Sequence, residues 1–125
     1  MEIEEAFYDA IHADFPALPV AYPGVNFTPP TSGQWLEVAV FRNLEANQPL
    51  ANKRGVEQGV LQIVVCGRAG IGVRALLPLM NQVRALYPKG RAFASGHRIV
   101  DNANVLSPQI EGDRLMLPVS MSYSR

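Results

Sequence analysis

Apolar residues recur along the chain at two periods, and the change of period marks out the elements. In Met1 to Asp14, Ile3, Ala6, Phe7, Ala10 and Ile11 fall on one stripe at helical spacing. This predicts an amphipathic helix over 2–13, which Pro16 ends. Trp35 to Arg42 alternates instead. Leu36, Val38 and Val40 share one face, and Trp35, Glu37, Ala39 and Phe41 the other, which predicts a strand. Gln58 to Cys66 is a nearly unbroken β-branched run. Leu61, Ile63 and Val65 point one way and Val60, Val64 and Cys66 the other, so this strand is expected to be central and covered on both sides. Leu115 to Tyr123 alternates again, with Leu115, Leu117, Val119, Met121 and Tyr123 inward. Pro118 interrupts that run and predicts an edge position or a bulge, because proline has no N–H for a ladder.

Between the last two runs the period becomes helical. A glycine turn, Gly67 to Gly72, leads to Val73, Leu76, Leu77, Met80, Val83 and Leu86 on one stripe, a helix of about 73–87. Pro78 is either the N1 residue of a regular helix that follows a looser turn, or a kink in a longer one. Pro88 and Gly90 stop it. Pro19 to Pro30 holds four prolines, which leaves room only for a short edge strand at Val20 to Tyr22, with Phe27 and the preceding apolar residues expected to pin the extended segment to the core. Asn43 to Glu57 is polar and reads as a long loop or the projecting arm of a hairpin. Phe93, Ile99, Val100 and Val105 suggest two short strands, with turns at Gly96 and Asp101-Asn102, and Gly112-Asp113 makes the last turn. This mixed order predicts one α+β domain over 1–125: a mainly antiparallel sheet with two principal helices packed on one face.

Composition narrows the chemistry. Eleven basic and eleven acidic residues cancel, so the net charge advertises no specific nucleic-acid recognition. The single Cys66 excludes an internal disulfide, fits a reducing compartment and, among apolar neighbours, reads as buried and inert. No apolar run approaches the ~20 residues of a membrane helix, and the acidic start is unlike a signal peptide. The protein is therefore expected to act inside a cell, or in a particle assembled there, with no membrane partner.

No cofactor, metal or catalytic residue is expected. The turn reads G-x-x-G-x-G, not the dinucleotide pattern G-x-G-x-x-G. Gly67 and Gly72 have the P-loop spacing, but Val73 and Arg74 stand where that loop needs lysine and a hydroxyl. Ser95, His97 and Asp101 are close in sequence, yet alternate strand positions do not orient a nucleophile, base and acid, so a surface strand is expected. One cysteine and two distant histidines, His12 and His97, give no metal-ligand spacing. The aromatics are too scattered for a base-stacking platform. A non-enzymatic protein follows.

Charge is segregated along the chain. Glu2, Glu4, Glu5, Asp9 and Asp14 give the first helix region five acids and no base. Between Glu57 and Asp101 there is no acid, while Arg68, Arg74, Arg84, Lys89, Arg91 and Arg98 supply six bases. Two readings stay open: head-to-tail association between copies, or neutralisation between neighbouring helices of one subunit.

Several stretches together resemble the tail-terminator-like proteins of long-tailed bacteriophages and prophages. They are A-Y-P-G-V-N-F-T-P-P (Ala21 to Pro30), W-L-E-V-A-V (Trp35 to Val40), Arg54-Gly55 with E-Q-G-V-L-Q-I (Glu57 to Ile63), Gly70-Ile71-Gly72, and the closing L-P-V-S-M-S-Y (Leu117 to Tyr123). The resemblance covers nearly the whole chain. Gly24 stands where the family pattern has asparagine, and Pro78 interrupts its helix. The resemblance implies a structural virion protein that caps the finished tail tube as a hexameric ring, stops its polymerisation and offers the head-joining surface. Its partners would be its own copies, the tail tube protein and a head-completion or connector protein, in a virion tail assembled in the host cytoplasm. A head-closure or neck protein of the same particle and a small-ligand-binding α+β domain are the alternatives. Combined with the charge pattern, this makes Glu4, Glu5, Asp9, Lys53, Arg54, Arg74 and Arg84 the candidate subunit or tube interface. The 43–57 loop is expected to order only there, with Lys53 and Arg54 meeting an acidic surface.

Overall fold

The two longest alternating runs pair with each other. In the computed structural model, which describes residues 1–42 and 57–125, β3 (Gln58–Arg68) lies antiparallel to β7 (Arg114–Ser124). The register runs unbroken from Gln58↔Ser124 to Arg68↔Arg114. On its other edge β3 pairs antiparallel with β2 (Trp35–Arg42), and β2 pairs parallel with the two-residue β1 (Val20–Ala21). The far edge of β7 is occupied in turn by β4 (Arg98–Ile99), β5 (Asn104–Val105) and β6 (Gln109–Glu111). β1 and the β4–β6 row thus form opposite margins of one sheet. Most of the expected 43–57 loop, including Lys53 and Arg54, falls outside the described residues.

Burial fixes which face is inner. Leu36, Val38, Leu61, Ile63, Val65, Leu117, Val119 and Met121 form one core with Ile3, Phe7 and Ile11 of α1 (Ile3–Asp14) and with Met80 and Val83 of α2 (Leu77–Leu86). Each such side chain contributes about 1.5–3 kcal/mol when fully buried, well above what a surface ion pair offers, so the apolar stripes decide how the helices lie. α1 packs on β2, and α2 packs on β3 and β7. Phe7 meets Tyr87 and Phe93 edge-on where the helices adjoin. The fold is α+β, with both helices on one face of a mostly antiparallel sheet.

Four local expectations are corrected. β3 is central, but only its inner face is fully covered; Val60, Gln62 and Val64 are half-buried and neighbouring Phe41 is 53% exposed. The outer face closes near Trp35, Cys66 and Pro118, which are buried. Pro118 is neither at an edge nor at a bulge. Its carbonyl accepts from Leu106 N–H, so its nitrogen points to the same side, into the interval between β5 and β6 where no ladder donor is needed.

The second helix begins as a 3₁₀ turn, Val73–Leu76, and Pro78 lies in the first α-helical turn, the first of the two options its position allowed. Three residues per turn in that lead-in rotate the stripe relative to a uniform α-helix. Leu79 and Tyr87 are consequently buried and Leu77 is 37% exposed, against the expected set. Of the apolar residues expected to pin the proline-rich segment, Val20 and Tyr22 pack against the core and Phe27 does not. Arg68 holds the segment's far end, donating from Nε and Nη2 to the Pro30 carbonyl at 2.9 and 2.6 Å while stacking over Trp35. Residues 91–106 form the two expected short strands, β4 and β5, and a third, β6, follows them unannounced. Its side chains are all exposed, so no apolar pattern announced it.

Candidate functional site

The five acids of the first helix region meet different fates. Arg42, at the end of β2, donates from Nε and Nη2 to both carboxylate oxygens of Glu4 at 2.7 and 2.6 Å, and from Nη2 to Glu2 at 2.7 Å. This fork ties the start of α1 to the sheet, and the hydrogen bond from Arg42 holds the Glu4 carboxyl below the usual range. Asp14 accepts from Tyr87 Oη and from Arg91 Nη1, both at 2.8 Å. Burial, then this bond to Asp14, pushes the Tyr87 phenol up. Glu4 is thus spent inside the subunit. Glu5 and Asp9 are exposed and carry no ion pair among the described residues.

The basic segment divides in the same way. Arg68 pairs with Asp113 at 2.6 Å and Arg91 with Asp14. Arg74 in the 3₁₀ turn, Arg84 on α2 and Lys89 just beyond it are exposed, again without an ion pair among the described residues. Of the expected interface residues, the structure brings Glu5 and Asp9 together, one turn apart on α1, and places Arg74 and Arg84 on a different element. Neutralisation within the subunit is therefore real but partial.

Asp9, Arg84 and Lys89 among these border two shallow grooves. One, of about 340 Å³, is lined by Tyr8, Asp9, His12, Tyr22, Pro23 and Val25, where α1 meets the segment following β1. The other, of about 440 Å³, is lined by Arg84 and Lys89 with Asn81 and Asn102, where α2 meets the segment leading into β5. Sequence reasoning missed Tyr22 and Val25 as surface features, and no periodic signal marks them. Lys89 stood in the basic segment, and only its position beside Arg84 distinguishes it.

The polar trio near residue 97 is also rearranged. His97 and Ser95 are buried, at 1% and 7% exposure, instead of forming a surface strand. They share a 2.8 Å hydrogen bond through His97 Nδ1. His97 Nε2 lies 3.4 Å from Glu57 Oε1 but makes no aligned hydrogen bond, and the ring packs edge-on against Tyr123. Arg125 closes the cluster on Glu57 at 3.0 Å. A serine on the same imidazole and a carboxylate beyond it resemble a triad in composition alone, because a 1% exposed ring is inaccessible to substrate. Cys66 is likewise buried, and burial pushes its thiol up. No cluster of potential metal ligands occurs among the described residues. None of the described helices is long and apolar enough to cross a membrane.

Comparison with known proteins agrees with this surface-dominated picture. A family model described as phage tail terminator protein matches residues 2–123. One solved structure aligns with a TM-score of 0.74 at 27% identity, over 97% of this chain and 88% of that one.

Proposed function

Because the chain belongs to the phage tail terminator family and so has a structural role in the phage tail, we propose that it caps the completed tail tube as a homo-hexameric ring. The ring ends polymerisation by covering the growing face of the tube and presents its opposite face to a head-completion or connector protein. The protein performs no catalysis in this reading and needs no cofactor. It assembles in the host cytoplasm and remains in the virion.

The match across residues 2–123 is the observation that carries this reading. The geometry supports it. The grooves beside the helices are shallow and open, whereas the outer face of the sheet is a broad half-covered surface running from Phe41 through Val60 to Val64. A subunit built this way is suited to contacts over wide faces, which a ring between a tube and a connector needs.

Tube protein polymerised with and without this chain, viewed by electron microscopy, tests the proposal. A cap on one tube end and a bounded length distribution are expected. Unrestricted tubes with no terminal density would defeat it. Density on the connector instead would favour the head-closure reading.

A further inference from the structure

The two grooves lie on opposite margins of the sheet and carry opposite charge. Tyr22 and Val25 follow β1, the strand beyond β2, while Asn102 and Ala103 immediately precede β5, which lies beyond β7. Four strand intervals of about 4.8 Å separate these margins by roughly 19 Å. No ion pair among the described residues joins Asp9 or Glu5 to Arg84 or Lys89, so the flanks do not neutralise each other by contact within one subunit. The first flank offers Asp9, with Glu5 one turn away, around an aromatic floor of Tyr8 and Tyr22 and a 63% exposed Val25. The second offers Arg84 and Lys89 above the small apolar surface of Ala85 and Ala103. Asp101 is the nearest acid in sequence to that groove, and it lines a neighbouring hollow with Val60, Ser120 and Ser122 that shares Asn102 with the groove.

We propose that these flanks are the two halves of one subunit interface: the α1–β1 flank of one copy receives the α2–β5 flank of the next. The occupant is a second copy because the charge complement of each flank is present at the other margin of the same chain. Joining unlike patches gives a head-to-tail interface, which repeats around a ring or along a filament and never stops at a two-fold dimer. Asp9 and Glu5 face Arg84 and Lys89 across the joint, and Val25 and the tyrosine edges exclude water between them. Glu4, held by Arg42, takes no part. This deepens the ring reading above and rests on it for its biological meaning, not for its geometry.

Carbodiimide cross-linking of the whole protein, mixed from isotopically labelled and unlabelled subunits, is the first test. A bond between Lys89 of one copy and Asp9 or Glu5 of another is expected, and its absence overturns the interface. Charge reversal is the second. Glu5→Lys with Asp9→Lys leaves both flanks basic, and Arg84→Glu with Lys89→Glu leaves both acidic. Each doubly substituted protein should self-associate roughly tenfold or more weakly than the wild type by sedimentation. An equimolar mixture should recover association, with the two proteins alternating in native mass spectra. Circular dichroism shows whether each variant folds, and a chain carrying all four reversals should associate again. Variants that associate like the wild type, or a mixture that does not recover, would refute the interface. Tube capping is scored separately: intact flank pairing without capping defeats the functional reading and leaves the interface standing.

Discussion

Asp14 ends α1 and Arg91 follows α2, yet their side chains meet at 2.8 Å, 77 residues apart in sequence. Arg91 also donates to the Leu86 carbonyl at 2.6 Å and lies 4.4 Å from the centre of the Tyr87 ring. One guanidinium therefore closes the end of α2, covers an aromatic and joins the two helices.

Breaking that junction should destabilise the fold. Arg91 and Asp14 side chains are only 24% and 21% exposed, so removing one partner leaves the other poorly solvated. Arg91→Ala is expected to cost about 1–3 kcal/mol in urea unfolding, since it removes a charged hydrogen bond, a carbonyl cap and the aromatic contact together. An unchanged denaturation midpoint would show that the junction is incidental.

Acid should weaken the protein through Glu4 and Glu57. Hydrogen bonds from Arg42 and Arg125 respectively lower these carboxyls from the usual 4.5. A depressed folded-state pKa means the native state holds the proton less tightly than the unfolded chain. The stabilisation is therefore complete above the unfolded value and is lost as pH falls through the lowered folded value. Melting temperature measured from pH 7 to pH 3 should fall below about pH 5. Arg42→Gln should flatten part of that fall and converge with the wild type at the acid end. Parallel curves with a constant offset would rule the linkage out.

Gly59 should tolerate no side chain. A Cβ there would collide with the Phe41 carbonyl and sit 2.8 Å from the Tyr123 ring, with both neighbours held in adjacent strands. Gly59→Ala is expected to cost about 3 kcal/mol or to prevent folding, by overpacking. A stable, soluble alanine variant would mean that β2 and β3 can separate at this end.

The phase of α2 can be read by paired truncations. Leu79→Ala should cost about 2–4 kcal/mol because the side chain is buried. Leu77→Ala should cost under about 1 kcal/mol, as its side chain is partly exposed. Equal losses at both positions would restore the uninterrupted α-helical stripe.

Ser95→Ala should be more costly than its small size suggests. It strips the partner from His97 Nδ1, whose other nitrogen is already unpaired. A loss of about 1–3 kcal/mol in thermal or urea unfolding is expected for an orphaned buried polar atom. No loss would imply that the ring turns to a new partner, with Glu57 at 3.4 Å the nearest candidate.

The sequence by itself determined the long strands, the first helix and the inward faces of both, because alternation and helical period are properties of neighbouring residues. Leu61, Ile63 and Val65 could face only the core once their outward neighbours included Gln62. The same local logic failed at α2, where the 3₁₀ lead-in at Val73–Leu76 changed the period without changing composition. Tertiary structure alone decided what each charge and each exception faces. Glu4 reads as an interface acid until Arg42, 38 positions away, takes it, while Asp9 stays exposed on the same helix. Pro118 is admitted to a central strand only because the chain leaves an interval between β5 and β6 beside it. Coulomb interactions and ladder bonds depend on distance in space, which folding sets between residues that the sequence holds far apart.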